Sequence, residues 1–126
     1  MFEINGQIFD WDKSKNLANI SKHGIPFKLA ATVFSDSDAI YIDDNKHSYN
    51  EERFIVIGVC KNLNLLAVCH CYKDNDTIRI ISARKANTLE TKTYGGNVNN
   101  LRIPSHELSI SSNTIKCNNR TIKNYV

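Results

Sequence analysis

The stretch IRIISARKA, residues 78–86, decides how the second half of the chain folds. It opens as a strand, because Ile78, Ile80 and Ile81 are β-branched, with Arg79 set among them. It then changes period. Ser82 is a good helix N-cap, and Ala83-Arg84-Lys85-Ala86 continues as a helix former. The spacing predicts a strand over 77–82 that runs almost directly into a helix over 83–94, which Gly95-Gly96 ends. On this reading Arg79 stands just before the junction and Arg84 and Lys85 just after it. Cations in a first helical turn oppose the macrodipole, so an anion is expected beside them, either a carboxylate of the protein or a bound phosphate.

Upstream of this stretch the pattern is β. DAIYID (38–43), RFIVIGVC (53–60) and LLAVCHCY (65–72) read as strands. The short Asn- and Asp-rich links KNLN and KDND favour antiparallel hairpins, and the two-sided hydrophobicity of 54–59 marks a central strand. Before them stand two helices. In WDKSKNLANISKHG, Asp10 or Asp12 can cap, Leu17 and Ile20 share a face, Lys22 and His23 fill the last turn, and Gly24 is the C-cap. The second helix starts at Pro26, and Phe27, Ala30, Ala31 and Phe34 form a core stripe. FEINGQIFD (2–10) reads as a strand or a short hairpin about Asn5-Gly6. The expected fold class is α+β: an antiparallel meander of about four strands, packed against two N-terminal helices, with a C-terminal helix.

The 126 residues suit one globular domain with a modest core. Residues 1–96 carry 12 basic and 12 acidic side chains, so the net charge of +3 arises in 97–126. That segment is Asn-rich and keeps neither period. It is read as a separate basic extension, a poorly ordered tail or a loosely packed strand or two, following a domain of 1–96. No apolar run approaches a membrane span. The N-terminus lacks the basic start and apolar region of a signal peptide, so a cytoplasmic location is the default expectation. Of the four cysteines, Cys60, Cys69 and Cys71 lie in strand-like segments, and Cys117 lies in the tail. Cys69 and Cys71 would share one face of a strand with His70 on the other. That disfavours a metal site, so neither metal nor cofactor is expected.

Four groups could carry chemistry. Lys22 and His23 are explained by the helix dipole alone, or else supply a phosphate-binding cation and a general acid or base. Glu52 and Arg53 enter the central strand on opposite faces, and Arg53 directly precedes a buried run, where a charge needs a partner. Lys73, after Tyr72, is either a hairpin-flanking surface lysine or a phosphate ligand. Arg79, Arg84 and Lys85 either pair internally, for instance with Glu52, or meet phosphate through guanidinium forks. Arg, Lys, His and Glu on a small sheet fit metal-independent RNA cleavage. That reaction needs a base at the 2′-hydroxyl, cations at the phosphorane and an acid at the leaving 5′-oxygen.

Residues 9–94 as a set resemble the BrnT toxin family. FDWDKSKNLANISKHG (9–24), the run from Phe27 to Phe34, EERFIVIG (51–58) and RIISARKA (79–86) carry the resemblance, with Glu90 and Tyr94 in the closing helix. It implies a RelE-like fold and the toxin half of a type II toxin–antitoxin pair. Such a toxin is a ribonuclease that blocks translation, neutralised by a ribbon-helix-helix BrnA-like antitoxin that supplies the DNA contact. The implied catalytic set is His23, Glu52, Arg53, Arg79 and Arg84, with Lys22, Lys73 and Lys85 on the RNA. The competing expectation is a degenerate homologue that only binds antitoxin. A third is a domain in which the Arg/Glu pairs are purely structural, so that replacing the arginines unfolds it.

Overall fold

The structure is a computed structural model and describes residues 2–44, 51–74 and 76–102, with side chains as far as residue 96. Most of the Asn-rich extension therefore lies outside the described residues. Six strands form one mixed sheet: β1 Phe2–Ile4, β2 Gln7–Trp11, β3 Ile40–Asp43, β4 Phe54–Val59, β5 Leu65–Lys73 and β6 Thr77–Lys85, in the spatial order β1-β2-β6-β5-β4-β3. The helices are α1 Lys13–His23, α2 Phe27–Ala31, which runs on into a 3₁₀ turn Thr32–Ser35, and α3 Thr88–Arg102.

The N-terminal segment is the hairpin its Asn-Gly pair foretells. Asn5 and Gly6 both take positive φ, 48° and 88°, as a tight two-residue turn requires. The four-strand expectation falls short because β2 also pairs with β6, in parallel, with Asp10 opposite Arg79 and Trp11 opposite Ile80. This adds two strands to the meander. The α1 cap is Asp12, whose carboxylate accepts from the Ser14 and Lys15 N–H groups; Asp10 belongs to β2. Gly24 closes α1 at φ 72° and donates to the Ile20 carbonyl.

IRIISARKA does not break into a helix. β6 continues to Lys85 because β5 is nine residues long and pairs along its whole length, as far as Leu66 opposite Lys85. Tertiary pairing overrides the helix preference of Ala-Arg-Lys. Ser82 is a strand residue opposite Cys69, and Arg84 and Lys85 belong to β6 and not to a first helical turn. A bulge makes the continuation possible: Cys69 pairs with Ser82 but His70 pairs with Ile80, leaving Ile81 extra on β6. Beyond the bulge the alternation is reset, so that Ile78, Ile80 and Ala83 all reach the core.

The cap of α3 is Asn87. Its side chain accepts from the Glu90 N–H at 2.8 Å while Glu90 accepts from the Asn87 N–H at 2.8 Å, a reciprocal capping box. The helix also passes through Gly95-Gly96 to Arg102 instead of ending there. Two interior glycines cost about 1 kcal/mol each relative to Ala.

The two faces of the sheet are unlike. One packs Phe9, Val56, Leu66, Val68, Ile78, Ile80 and Ala83 against Ile25 and α2. Phe27, Ala30 and Ala31 are fully buried there, as their spacing predicts. α1 disagrees with its sequence reading. Leu17 and Ile20 are exposed, and the residue turned inward is Asn19. Its amide donates to the Ile25 and Ala83 carbonyls and accepts from the Ala83 N–H. β2 pairs with β6 only as far as Trp11–Ile80, so Asn19 takes the place of a missing strand neighbour. Gly58 lets β4 approach this layer: a Cβ there would sit 3.2 Å from the Val33 carbonyl oxygen. On the other face, Ile40, Ile42, Ile57 and Ala67 pack with Ala86 and Tyr94, so α3 covers only part of it. Among the described residues no helix is long and apolar enough to cross a membrane.

Candidate active site

Among the described residues, the part of the second face that α3 leaves uncovered carries the charge. Sheet pairing sets Asp10 beside Arg79, and Arg79 beside Cys71. The three side chains therefore form a row across β2, β6 and β5, with Lys73 two residues on and on the same face. Lys73 Nζ donates to Asp10 Oδ2 at 2.8 Å. Arg79 Nη1 lies 3.3 and 3.4 Å from the two Asp10 oxygens. One carboxylate thus serves two cations. Both cations stay open to water, with Arg79 37% and Lys73 49% exposed.

The row continues beyond Cys71. Arg53 lies just ahead of β4, where its carbonyl accepts from the Asp44 N–H, and its guanidinium reaches Glu51 at 3.4 Å. Burial pushes the Cys71 thiol up, and so does Glu51, which accepts its hydrogen bond; Arg53 and Arg79 pull the other way. Cys71 is a neutral spacer between two cations. Cys69, one pleat further and 3.6 Å from an Asp44 oxygen, is pushed up to about 12 by burial and that carboxylate. Both shifts favour the protonated thiol, which disfavours either cysteine as a nucleophile.

His70 faces the opposite way, into a box of Phe34, Tyr41, Phe54 and Tyr72 rings. Its Nδ1 meets the Val68 carbonyl at 3.1 Å, and burial lowers its pKa to about 4. It is a neutral core imidazole. Among the described residues no three His, Cys, Asp or Glu side chains converge as metal ligands would.

The structure sorts the residues read from the sequence into three sets. Lys73 and Arg79 come together on Asp10, and Arg53 joins them across Cys71. Arg84 lies on the same strand face, but roughly 15 Å along the strand from Arg79 at the usual rise per residue, too far to share one phosphate. Its guanidinium grips Glu90 in a two-point contact of 2.7 and 2.9 Å. Burial would raise the Glu90 carboxyl, but Arg84 and the Asn87 N–H outweigh it and hold it below the usual range. The Glu90 hydrogen bonds push Arg84 up in turn, against its partial burial. The last set, Lys22, His23, Glu52 and Lys85, has exposed side chains that reach neither of these groups among the described residues; Lys85 meets Arg84 only through its backbone carbonyl, which accepts from Arg84 Nη1 at 3.3 Å. α1, which carries Lys22 and His23, packs through Asn19 on the face opposite to Arg79.

Asp10 is the residue that the sequence reading missed, having considered it only as a helix cap. The signal was present: Phe9 and Trp11 flank it, and in a strand they must face the core together while Asp10 faces away.

The comparisons agree with this fold. A family model described as the ribonuclease toxin BrnT of type II toxin–antitoxin systems matches residues 11–90. A search of solved structures finds the ribonuclease toxin BrnT of Brucella abortus. That protein is 24% identical, with a TM-score of 0.50, over 65% of this chain and 99% of that one. No curated protein matches.

Proposed function

Because the chain belongs to the BrnT family of type II toxin–antitoxin ribonucleases, we propose that it is an endoribonuclease that cuts RNA without a metal ion and so blocks translation in the cytoplasm. Its partner in this reading is a BrnA-like ribbon-helix-helix antitoxin, and contact with DNA comes only through that partner. The observation that carries the reading is the Asp10–Arg79–Lys73 cluster, with Arg53 beyond it, on the open part of the sheet. Two cations of different shape stand side by side there, a fork and a point charge. Together they suit the nonbridging oxygens of a phosphodiester. Charge built up at phosphorus in the transition state would fall between them. Arg84 is the anchor of α3 in this account.

RNA cleavage by the purified chain in EDTA tests the reading, alongside growth arrest on expression. Metal-free cleavage that an added antitoxin suppresses is the expected result. Antitoxin binding without cleavage would instead identify a degenerate homologue.

A further inference from the structure

Resting on the ribonuclease reading, we propose that Asp10 and Lys73 form the proton-transfer pair of the reaction, with Asp10 taking the proton of the 2′-hydroxyl. Asp10 is the carboxylate in contact with both Arg79 and Lys73. The proton-transfer residues suggested by the sequence, His23 and Glu52, touch neither cation among the described residues.

In the free protein the oxygens of Asp10 are taken up by two cations. A phosphodiester that binds Arg79 competes for the same donors. The Arg79 contacts, at 3.3 and 3.4 Å, are at the long end for a charged pair and are the ones readily exchanged. Once Arg79 turns to the phosphate, an Asp10 oxygen is released beside it. The 2′-hydroxyl adjoins the scissile phosphate by covalent connection, so a carboxylate at that edge lies within reach of its proton.

The step balances as follows. The 2′-O–H proton passes to Asp10 while the 2′-oxygen bonds to phosphorus. The bond from phosphorus to the 5′-oxygen breaks, and the departing 5′-oxygen takes a proton from the Lys73 ammonium. Lys73 recovers a proton from Asp10 across their 2.8 Å contact. The products are a 2′,3′-cyclic phosphate and a 5′-hydroxyl, and both side chains return to their starting state.

The experiment uses the full chain in EDTA, a short RNA, the same oligonucleotide as DNA, and an RNA dinucleotide analogue whose leaving group is nitrophenolate. Asp10→Asn, confirmed folded by its thermal midpoint, should cleave RNA at least 100-fold more slowly. It should bind the uncleavable DNA oligonucleotide as tightly as the parent or more tightly, since a competing negative charge is gone. Lys73→Ala should lose cleavage of natural RNA but recover to within about tenfold of the parent on the nitrophenyl substrate, which needs no proton. Asp10→Asn cleaving within about threefold of the parent overturns the proposal. Equal loss of DNA binding and cleavage also overturns it, by reducing Asp10 to a residue that positions the cations. Equal loss of both substrates in Lys73→Ala removes the proton pair even if Asp10→Asn does not fold. If the parent cleaves neither substrate, the ribonuclease reading itself falls, an outcome distinct from all of these.

Discussion

Arg79 and Arg84 occupy the same strand and the same face, and each meets a carboxylate, yet the two ends of β6 are built for different ends. Arg84 is held at two points by a Glu90 that is only 14% exposed and that also caps α3. Both oxygens of that carboxylate are engaged, Oε1 by Arg84 and the Asn87 N–H and Oε2 by Arg84, so the pair is a fixed joint between sheet and helix. Arg79 reaches its carboxylate through one nitrogen at longer range and shares it with Lys73. A pair of that kind contributes little to stability and exchanges readily with an incoming anion. Two arginines that look equivalent in RIISAR thus separate, by what covers them, into an open residue that the proposed reaction uses and a structural joint.

The largest expected effect belongs to the open end. Arg79→Ala should lower RNA cleavage by about 100- to 1,000-fold, the range for removing one preorganised charge-stabilising group. Its unfolding free energy should stay within ~1 kcal/mol of the parent, as is typical of an exposed pair.

Acid sharpens the comparison, provided the core imidazole is accounted for. Burial holds His70 neutral when folded, with its pKa lowered to about 4 from the usual 6.5. The unfolded chain therefore binds more protons between those values. Its contribution is complete above pH 6.5 and is lost as pH falls toward 4, roughly 3 kcal/mol in all. Denaturation midpoints from pH 7 to 4 should show this slope, and His70→Leu should flatten it. The Glu90 contribution, also a lowered group, should persist above its usual pKa of 4.5 and fade only below it.

Arg84→Ala should cost about 1–2 kcal/mol, discounted for the partial exposure of the guanidinium, and should lower the midpoint by roughly 5–10 °C. A smaller effect is expected at Tyr94, whose hydroxyl donates to Asp36 Oδ2 at 2.6 Å and ties α3 to the turn before β3. Tyr94→Phe should cost about 1 kcal/mol and leave cleavage unchanged. A loss of activity there would place α3 in the site and erase the distinction between the two ends.

The sequence made the local elements plain wherever one residue forces one conformation. Asn5-Gly6 sets the hairpin turn, Gly24 ends α1, and the Phe27 stripe finds the core. What it concealed depends on partners far along the chain. The parallel pairing that brings Asp10 to Arg79 joins residues 69 positions apart, and nothing near either one announces it. The continuation of β6 through Ala-Arg-Lys follows from the length of β5. The burial of Asn19 follows from the early end of β2, and the exposure of Leu17 from the rotation this imposes on α1. Residue type alone marks the candidates for chemistry, and the sheet faces decide which of them meet: Lys73 and Arg79 do, whereas Arg84 turns to Glu90.

The most direct test of the account is RNA cleavage in EDTA by Arg79→Ala and Arg84→Ala, each measured at a temperature where both are folded and expressed per folded molecule. The account predicts that Arg79→Ala loses at least 100-fold while Arg84→Ala keeps activity within about tenfold of the parent despite its lower midpoint. A folded Arg84→Ala that is as inactive as Arg79→Ala, or an Arg79→Ala that cleaves normally, would contradict it.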